Sequence, residues 1–463
     1  MSNVESKERF VAHWQERLDV LRAKHHVPGA ALAVLVDGEI HELASGVLNR
    51  ATGVEVTPDS VFQSGSIAKV YTATVIMRLV DEGKLDLDAR VVDVLPEFGT
   101  PDPEATEVIT VRQLLSHSGG LTNDFHHDTG RGDDCLAKYV AAARQVPLAL
   151  PPGTAASYAG LGFVVLGRII EVLTGKTWDQ AMKDMLFTPL GLERSMTLPE
   201  EALRYRAAMG HLGAPGQDPD PAPVWDIQPR STGPAARVLV SAGDMVRFAR
   251  MHLDGGVAPD GTRVLSAESV AAMQRREVDS PDRWTVSADA WGLGWCLYDQ
   301  EGFRGFGHDG SAVSQHALLR IFPGSGVAIS LMTNSGNARA LYVELFTELL
   351  GALGIIMPEP FAPANPPITV DATPFFGTYR RTGVIITVSE QHGKPHVRYE
   401  FVDDAAGVSP PLESELKPVT DTIFAAYFAG SGISEEMPVI FTTTGETQYC
   451  WVGMRAAPKI GLR

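Results

Sequence analysis

A serine and a lysine three residues apart give the strongest chemical signal in this chain. Ser66 and Lys69 open a strongly helical run, so their side chains share one face near a helix N-terminus. A serine hydroxyl becomes a nucleophile when a base takes its proton, and a lysine can be that base when burial and nearby cations lower its pKa. The pair predicts nucleophilic acyl chemistry, although Ser-x-x-Lys alone also fits a capped surface helix.

Apolar runs with regular spacing predict the elements that surround this pair. Helices are predicted over 70–82 and 163–173, each closed by a glycine. Antiparallel hairpins are predicted over 30–44 and 314–333, around Asp-Gly and Pro-Gly turns. Strands at both ends of a region with helices between them indicate one α+β sheet that is closed by its termini.

A proline-rich segment divides the chain. Residues 357–367 contain five prolines, which disfavour helix and favour an extended connector. Short β-rich runs separated by glycine and charged turns follow it, as in a small barrel or sandwich. We therefore expect a catalytic domain over 1–356, a linker over 357–367 and an all-β domain over 368–463.

Composition argues against several classes of partner and location. With 463 residues, 44% hydrophobic and 21% charged, the chain can bury a large core. A formal net charge of −17 disfavours nucleic acid and anionic membranes as partners. The N-terminal residues predict an amphipathic helix rather than a signal peptide, and no apolar stretch is long enough to span a membrane. Three widely spaced cysteines fit a reducing compartment, so a cytoplasmic location is predicted.

A histidine- and aspartate-rich stretch is the nearest approach to a metal motif. His126, His127 and Asp128 precede a pair of aspartates at 133 and 134. Adjacent histidines point in different directions, and no pair of histidines lies four residues apart on a predicted helix. We expect neither a metal nor another cofactor.

Five stretches in a fixed order resemble the penicillin-binding-protein and serine β-lactamase superfamily across residues 8–356. This resemblance implies a β-lactamase/transpeptidase-like antiparallel sheet with helices, and acyl-enzyme chemistry. The stretches are VFQSGSIAKVYTATVIMRLVDEGKLDLD, VRQLLSHSGGL, PPGTAASYAGLGFVVLGRIIEVLTG, LFTPLGLERSM and FGHDGSAVSQHALLRIFPGSGVAISLMTNSG.

The resemblance also implies roles for individual residues. Ser66 matches the acylated nucleophile and Lys69 its proton acceptor. Tyr158 matches the tyrosine that passes a proton between the nucleophile and the leaving group. His308 would orient the phenol and help to bind a substrate carboxylate or phosphate. The backbone N–H groups of Ser66 and Ser311 would form the oxyanion hole.

One position departs from the family pattern. Where β-lactamases carry asparagine two residues after the tyrosine, this chain has Gly160, so efficient β-lactam hydrolysis is not expected. Asn123 and Ser157 are the two candidates to replace the missing asparagine side chain. Gly160 and Asn123, with Asp309 and Gly310 of the His-x-Gly segment, are the predicted substrate-binding residues.

Two further resemblances narrow the function. Residues 375–379 (FFGTY) resemble the first strand of the lipocalin-like barrel that follows this catalytic domain in some relatives and walls the cleft. With the stretch DTGRGDDC, they suggest a penicillin-binding-protein-type thioesterase that releases or cyclises a carrier-bound peptidyl (thio)ester ending in a D-residue. A stand-alone esterase or D-stereospecific peptidase is the alternative. A non-catalytic binding protein is the third hypothesis.

Overall fold

One antiparallel sheet forms the centre of the first 356 residues. The computed structural model describes residues 3–125, 127–214, 216–407, 409–429 and 435–461. The first long strand, Gly29–Val36, pairs with the last one, Val327–Thr333, which confirms a sheet closed by its termini. Within the described residues its nine strands run in the order Val54–Glu55, Glu39–Asn49, Gly29–Val36, Val327–Thr333, His316–Phe322, Phe303–Ser311, Cys296–Gln300, Ala290–Trp291 and Val278–Asp279.

Both faces of this sheet are covered, so its central strands are apolar throughout. In Gly29–Val36, the side chains of Ala30, Leu32 and Val34 pack in the core with the terminal helices Asn3–Lys24 and Ala338–Ala352. The intervening side chains, such as Ala31 and Ala33, face the second core, which contains the helix Ala68–Asp81. Successive strand residues point to opposite faces, so a strand buried on both sides needs apolar residues at every position.

Helices cover the second face and carry the catalytic motifs. The predicted helices at 70–82 and 163–173 are confirmed, and Gly175 closes the second in the left-handed conformation. The remaining α-helices before the linker are short or cover the sheet. In chain order the α-helices are Asn3–Lys24, Ala68–Asp81 (the serine helix), Val91–Val94, Pro103–Val108, Val111–Leu115, Cys135–Ala143, Gly160–Thr174, Trp178–Met182, Gly233–Ala236, Ala242–Leu253, Ala267–Met273 and Ala338–Ala352.

The C-terminal part forms a second, strongly curved antiparallel sheet. Its two edge strands, Leu412–Glu415 and Lys417–Pro418, are separated by one residue in the chain, so the sheet curls into a nearly closed barrel. Tyr379, Phe424 and Phe441 lie in its core. Among described residues the strand order is Leu412–Glu415, Lys394–Phe401, Val384–Gln391, Gly377–Arg381, Arg455–Ile460, Thr447–Val452, Met437–Thr444, Ile423–Ala426 and Lys417–Pro418.

The proline-rich segment joins the two sheets. Residues 355–372, all of which are described, contain neither helix nor strand. Phe361 of this segment packs its ring against Trp284, with 5.1 Å between ring centres, so the connector lies on the catalytic part. Across the described residues, no helix combines the length and the apolar character needed to cross a bilayer.

Candidate active site

The serine and the lysine meet at the start of the serine helix. Ser66 lies in the 3-10 turn Gly65–Ile67 that leads into the helix, and Lys69 lies in the first helical turn. Lys69 Nζ is 3.3 Å from Ser66 Oγ and donates a hydrogen bond of 2.7 Å to the carbonyl oxygen of Ala235. The predicted pairing of nucleophile and base is therefore present in the folded chain.

The surroundings of Lys69 favour its neutral amine. The side chain is buried, and burial lowers its pKa well below the ordinary value because the ammonium form loses its hydration. The positive charge of Arg455, which belongs to the C-terminal sheet, lowers this pKa further. A neutral amine beside Ser66 can accept the hydroxyl proton, as general-base activation requires.

Tyr158 lies against the lysine. It comes just before helix Gly160–Thr174, and Lys69 Nζ is 4.7 Å from the centre of its ring. Burial raises the pKa of this phenol well above its ordinary value, while a hydrogen bond with Ser66 and the charge of Arg455 lower it by less. The phenol is therefore protonated at neutral pH and can donate its proton next to the nucleophile.

His308 lies on the strand Phe303–Ser311 at the opposite wall of the cleft. Its Nδ1 is 2.6 Å from the carbonyl oxygen of Asp309 and so donates to it, which leaves Nε2 as an acceptor. Burial lowers its pKa to about 4, with a smaller contribution from Lys69. A neutral ring that accepts at Nε2 favours proton handling over binding of an anion. The His308 and Tyr158 ring centres are 6.1 Å apart.

The carboxylate of Asp309 is committed to an ion pair below the strand. It pairs with Arg320, which is fully buried and also donates a 3.2 Å hydrogen bond to the Tyr342 hydroxyl. A buried guanidinium requires such a partner, so this pair fixes the strand that carries His308. A direct contact between Asp309 and a substrate stays a prediction.

Two glycines bring the predicted oxyanion donors together. A Cβ on Gly310 would lie 1.9 Å from the Ser64 carbonyl oxygen and 2.9 Å from Ser66 N. A Cβ on Gly65 would lie 2.5 Å from Ser311 N. Only glycine allows the two backbone segments to approach so closely. The N–H groups of Ser66 and Ser311 consequently lie on facing segments of one junction, as an oxyanion hole requires.

Asn123, rather than Ser157, lies where the family asparagine is missing. Gly160 N donates a 3.1 Å hydrogen bond to Asn123 Oδ1, and a Cβ on Gly160 would lie 3.1 Å from the same oxygen. Ser157 is buried, and its hydroxyl accepts a hydrogen bond from Ala456 N. The Asn123 carboxamide lines the cleft beside Ser66.

A turn of the C-terminal sheet completes the cleft. Strands Thr447–Val452 and Arg455–Ile460 are joined by Gly453 and Met454, which we call the C-terminal turn. Met454 accepts a 3.0 Å hydrogen bond from Tyr158 N and donates one of 3.0 Å to the buried carboxylate of Asp282. The Arg455 guanidinium lies 5.3 Å from the centre of the Tyr158 ring. The C-terminal sheet therefore forms a wall of the cleft. The division into a catalytic domain, a linker and a lipocalin-like domain stays a prediction.

His117 and Arg455 are site residues that the sequence interpretation missed. His117 accepts at its backbone oxygen from Ser157 N and at Nδ1 from Ala159 N, so it holds both neighbours of Tyr158. It adopts a left-handed backbone with φ of 59°, which is uncommon for a residue other than glycine. The stretch LLSHSGGL, which resembles the superfamily, contains His117 and could have indicated it. Arg455 had no such signal, because it reaches the cleft only when the two domains dock.

The cleft has a volume of about 320 Å³ and mixes apolar and polar walls. Phe125, Tyr139 and Trp291 supply aromatic surface beside the polar groups described above. Within the described ranges, no group of three histidine, cysteine, aspartate or glutamate side chains is placed to hold a metal ion. His126 of the histidine- and aspartate-rich stretch lies outside the described residues.

Comparison with known proteins identifies relatives of this arrangement. The family model described as "Beta-lactamase" matches residues 14–350. "Penicillin-binding protein 4" of Amycolatopsis lactamdurans is 60% identical over 373 residues, which are 80% of this chain and 98% of the relative. "Unguisins hydrolase ungD'" of Aspergillus campestris is 28% identical over 67% of this chain and 59% of its own length.

Among solved structures, SurE resembles both parts of the chain. Its crystal structure has a TM-score of 0.79 and 28% identity, and the match covers 98% of this chain and 100% of SurE. A second structure, of SurE with D-Leu, matches with a TM-score of 0.76 and 27% identity. The predicted superfamily is thereby confirmed: this chain, with its buried lysine beside a helix-start serine, belongs to the β-lactamase family of serine hydrolases.

Proposed function

We propose that this chain is a serine acyl-transferring enzyme that takes a peptidyl (thio)ester with a D-configured C-terminal residue and releases or cyclises it. Ser66 would attack the carbonyl carbon as Lys69 takes its proton. The thiol or alcohol would leave with a proton from Tyr158, which the Lys69 ammonium would replace. An amine of the peptide or water would then attack the acyl-enzyme, and its proton would return to the Ser66 oxygen as that oxygen leaves. Each step breaks one acyl bond and forms another, so it needs no external oxidant or reductant.

The single observation that carries this proposal is the C-terminal turn in the cleft. It is held to the backbone of Tyr158 on one side and to Asp282 on the other. A wall of this kind limits the access of water and holds an incoming amine near the acyl group, which favours aminolysis over hydrolysis. The match to SurE supports the proposal, because it covers both domains and because SurE was solved with D-Leu.

Plain hydrolysis is the second candidate. The same serine, lysine and tyrosine serve a hydrolase, and the relative ungD' is named a hydrolase. The two functions differ only in which nucleophile reaches the acyl carbon. A carrier protein as the natural donor belongs to the first proposal alone.

The experiment compares two epimeric peptidyl N-acetylcysteamine thioesters that end in a D- or an L-residue. Intact mass should show one acyl adduct on the wild-type chain with the D-epimer. Chromatography with mass spectrometry should show mainly cyclic or aminolysed product. Free acid alone across a panel of D-terminal donors would establish the hydrolase instead. Equal acylation by both epimers would remove the D-preference from the proposal.

A further inference from the structure

The loop that carries Asn123 lies between the cleft and the C-terminal sheet. The side-chain oxygen of Asn123 accepts a hydrogen bond of 3.1 Å from Gly160 N, and Asn123 Nδ2 donates one of 3.1 Å to Asp124 Oδ1. These partners fix the orientation of the amide, because an N–H needs an acceptor and a carboxylate needs a donor. The amide carries a second N–H, which can donate to a substrate in the cleft that Asn123 lines.

Asp124 is held by the C-terminal sheet. Its carboxylate pairs with Arg381 and lies 3.8 Å from Arg455 Nε. A Cβ added to Gly383 would lie 3.4 Å from the Asp124 carbonyl oxygen and 3.5 Å from its Cβ, so the turn after Arg381 runs close beside this residue. Two arginines of the C-terminal sheet thus act on the neighbour of Asn123.

The Arg381 side of this contact is rigid. Its side chain is 2% exposed, and it donates a 2.7 Å hydrogen bond to the Tyr399 hydroxyl, two strands away in the same sheet. A guanidinium so deeply buried keeps its carboxylate partner, because separation would leave a desolvated charge unpaired. The position of Asp124 is therefore set by the C-terminal sheet as well as by its own loop.

We infer that Asn123 supplies the substrate-binding carboxamide that relatives carry at the position of Gly160, and that Asp124 and Arg381 are positioning residues for it. The ligand is the amide carbonyl on the acyl side of a peptidyl donor, which would accept from Asn123 Nδ2. This inference rests on the proposed acyl-enzyme function. It makes the C-terminal sheet part of substrate selection, at a distance from the reacting atoms.

The test uses two activated esters that differ in one group. The p-nitrophenyl ester of N-acetyl-D-leucine has an acyl-side amide, and p-nitrophenyl 4-methylpentanoate has the same carbon skeleton without it. The readout is the ratio of kcat/KM for the first ester to that for the second. Loss of folded enzyme lowers both rates together, so this ratio reports recognition of the amide.

Asn123→Ala should lower this ratio about tenfold, the effect of one lost hydrogen bond of ordinary strength. Relocation of the carboxamide in the double variant Asn123→Gly with Gly160→Asn should restore most of the ratio. The single variant Gly160→Asn should not raise it, because its Cβ would crowd Asn123 Oδ1. A ratio unchanged by Asn123→Ala would overturn the inference.

The positioning part is tested on the C-terminal sheet. Arg381→Met should lower the same ratio about threefold to tenfold, and Arg381→Lys should retain more of it because the charge is kept. Arg380→Met is the matched control, since Arg380 is the neighbouring residue but pairs with Asp403 at an exposed site. Asp124→Asn provides a second variant that keeps the size of the side chain and removes its charge.

The outcomes separate the inference from the function on which it rests. If Arg381→Met and Asp124→Asn change the ratio no more than Arg380→Met does, the positioning role is wrong while acyl-enzyme chemistry stands. If the wild-type chain forms no adduct on Ser66 with either ester, the proposed function itself fails.

Discussion

The serine helix and the C-terminal turn face each other across the cleft, and they hold their side chains in place by different means. Ser66 and Lys69 are fixed by one helix start, within a single turn of the chain. The backbone of Met454 is fixed by hydrogen bonds to Tyr158 and Asp282, which lie in the first 356 residues, and Arg455 is the next residue in the chain. Ser66 and Lys69, the local half of the site, supply the nucleophile and the base. Met454 and Arg455 are the docked half: the charge of Arg455 lowers the pKa of that base, and the turn limits access to the cleft.

The largest effect should come from the local half. Ser66→Ala removes the only atom that forms the acyl bond in the proposed mechanism, so kcat/KM for an activated ester should fall by about 10⁴-fold or more. Intact mass should then show no adduct. An adduct that still accumulates on this variant would show that the nucleophile is not Ser66, and the contrast between the two halves would then fail.

A smaller loss is expected at the junction of the oxyanion hole. Gly310→Ala would place a methyl group 1.9 Å from the Ser64 oxygen and so force apart the segments that carry the two donors. Loss of one oxyanion donor lowers kcat by about 100- to 1000-fold. Gly324→Ala is the control, because a Cβ there has nothing within 4 Å. Equal kcat values for the two variants would contradict this role.

The docked half is tested by pH. Arg455 lowers the pKa of Lys69, so Arg455→Met should raise that pKa and move the acidic limb of the kcat/KM profile to higher pH. On that limb, activity falls about tenfold for each unit by which the pKa rises, and it recovers at high pH. Arg455→Lys keeps the charge and should leave the limb near its original position. An acidic limb that does not move in Arg455→Met would show that the domains are electrostatically independent.

The smallest effect concerns stability. The pKa of Lys69 in the folded chain lies below its ordinary value of 10.5, so between these two values the unfolded chain binds a proton that the folded chain does not. This lysine therefore destabilises the fold increasingly as pH falls from 10.5. Lys69→Met should raise the free energy of unfolding by about 0.5–2 kcal/mol at pH 7, and by less at pH 10. Urea titrations at both pH values check this. A variant less stable at pH 7 would contradict it.

The local half of the site could be predicted from the sequence because its contacts lie close together in the chain. Helical spacing placed Ser66 beside Lys69, and turn residues placed both hairpins. Residues that act through docking left no comparable signal. Arg455 follows a common Gly-x turn, and the residues around it in the sequence do not indicate that its charge acts on Lys69. For the replacement of the family asparagine, two candidates remained open until Asn123 was found against Gly160.

The shared hydrogen bond between the domains also has a consequence for motion. The Tyr158 amide hydrogen is donated to the carbonyl oxygen of Met454, so it belongs to one domain while its acceptor belongs to the other. Exchange of that hydrogen with deuterium requires the bond to open. Its exchange rate therefore measures the free energy with which the turn leaves the cleft, and a bound acyl chain that holds the turn in place should slow it.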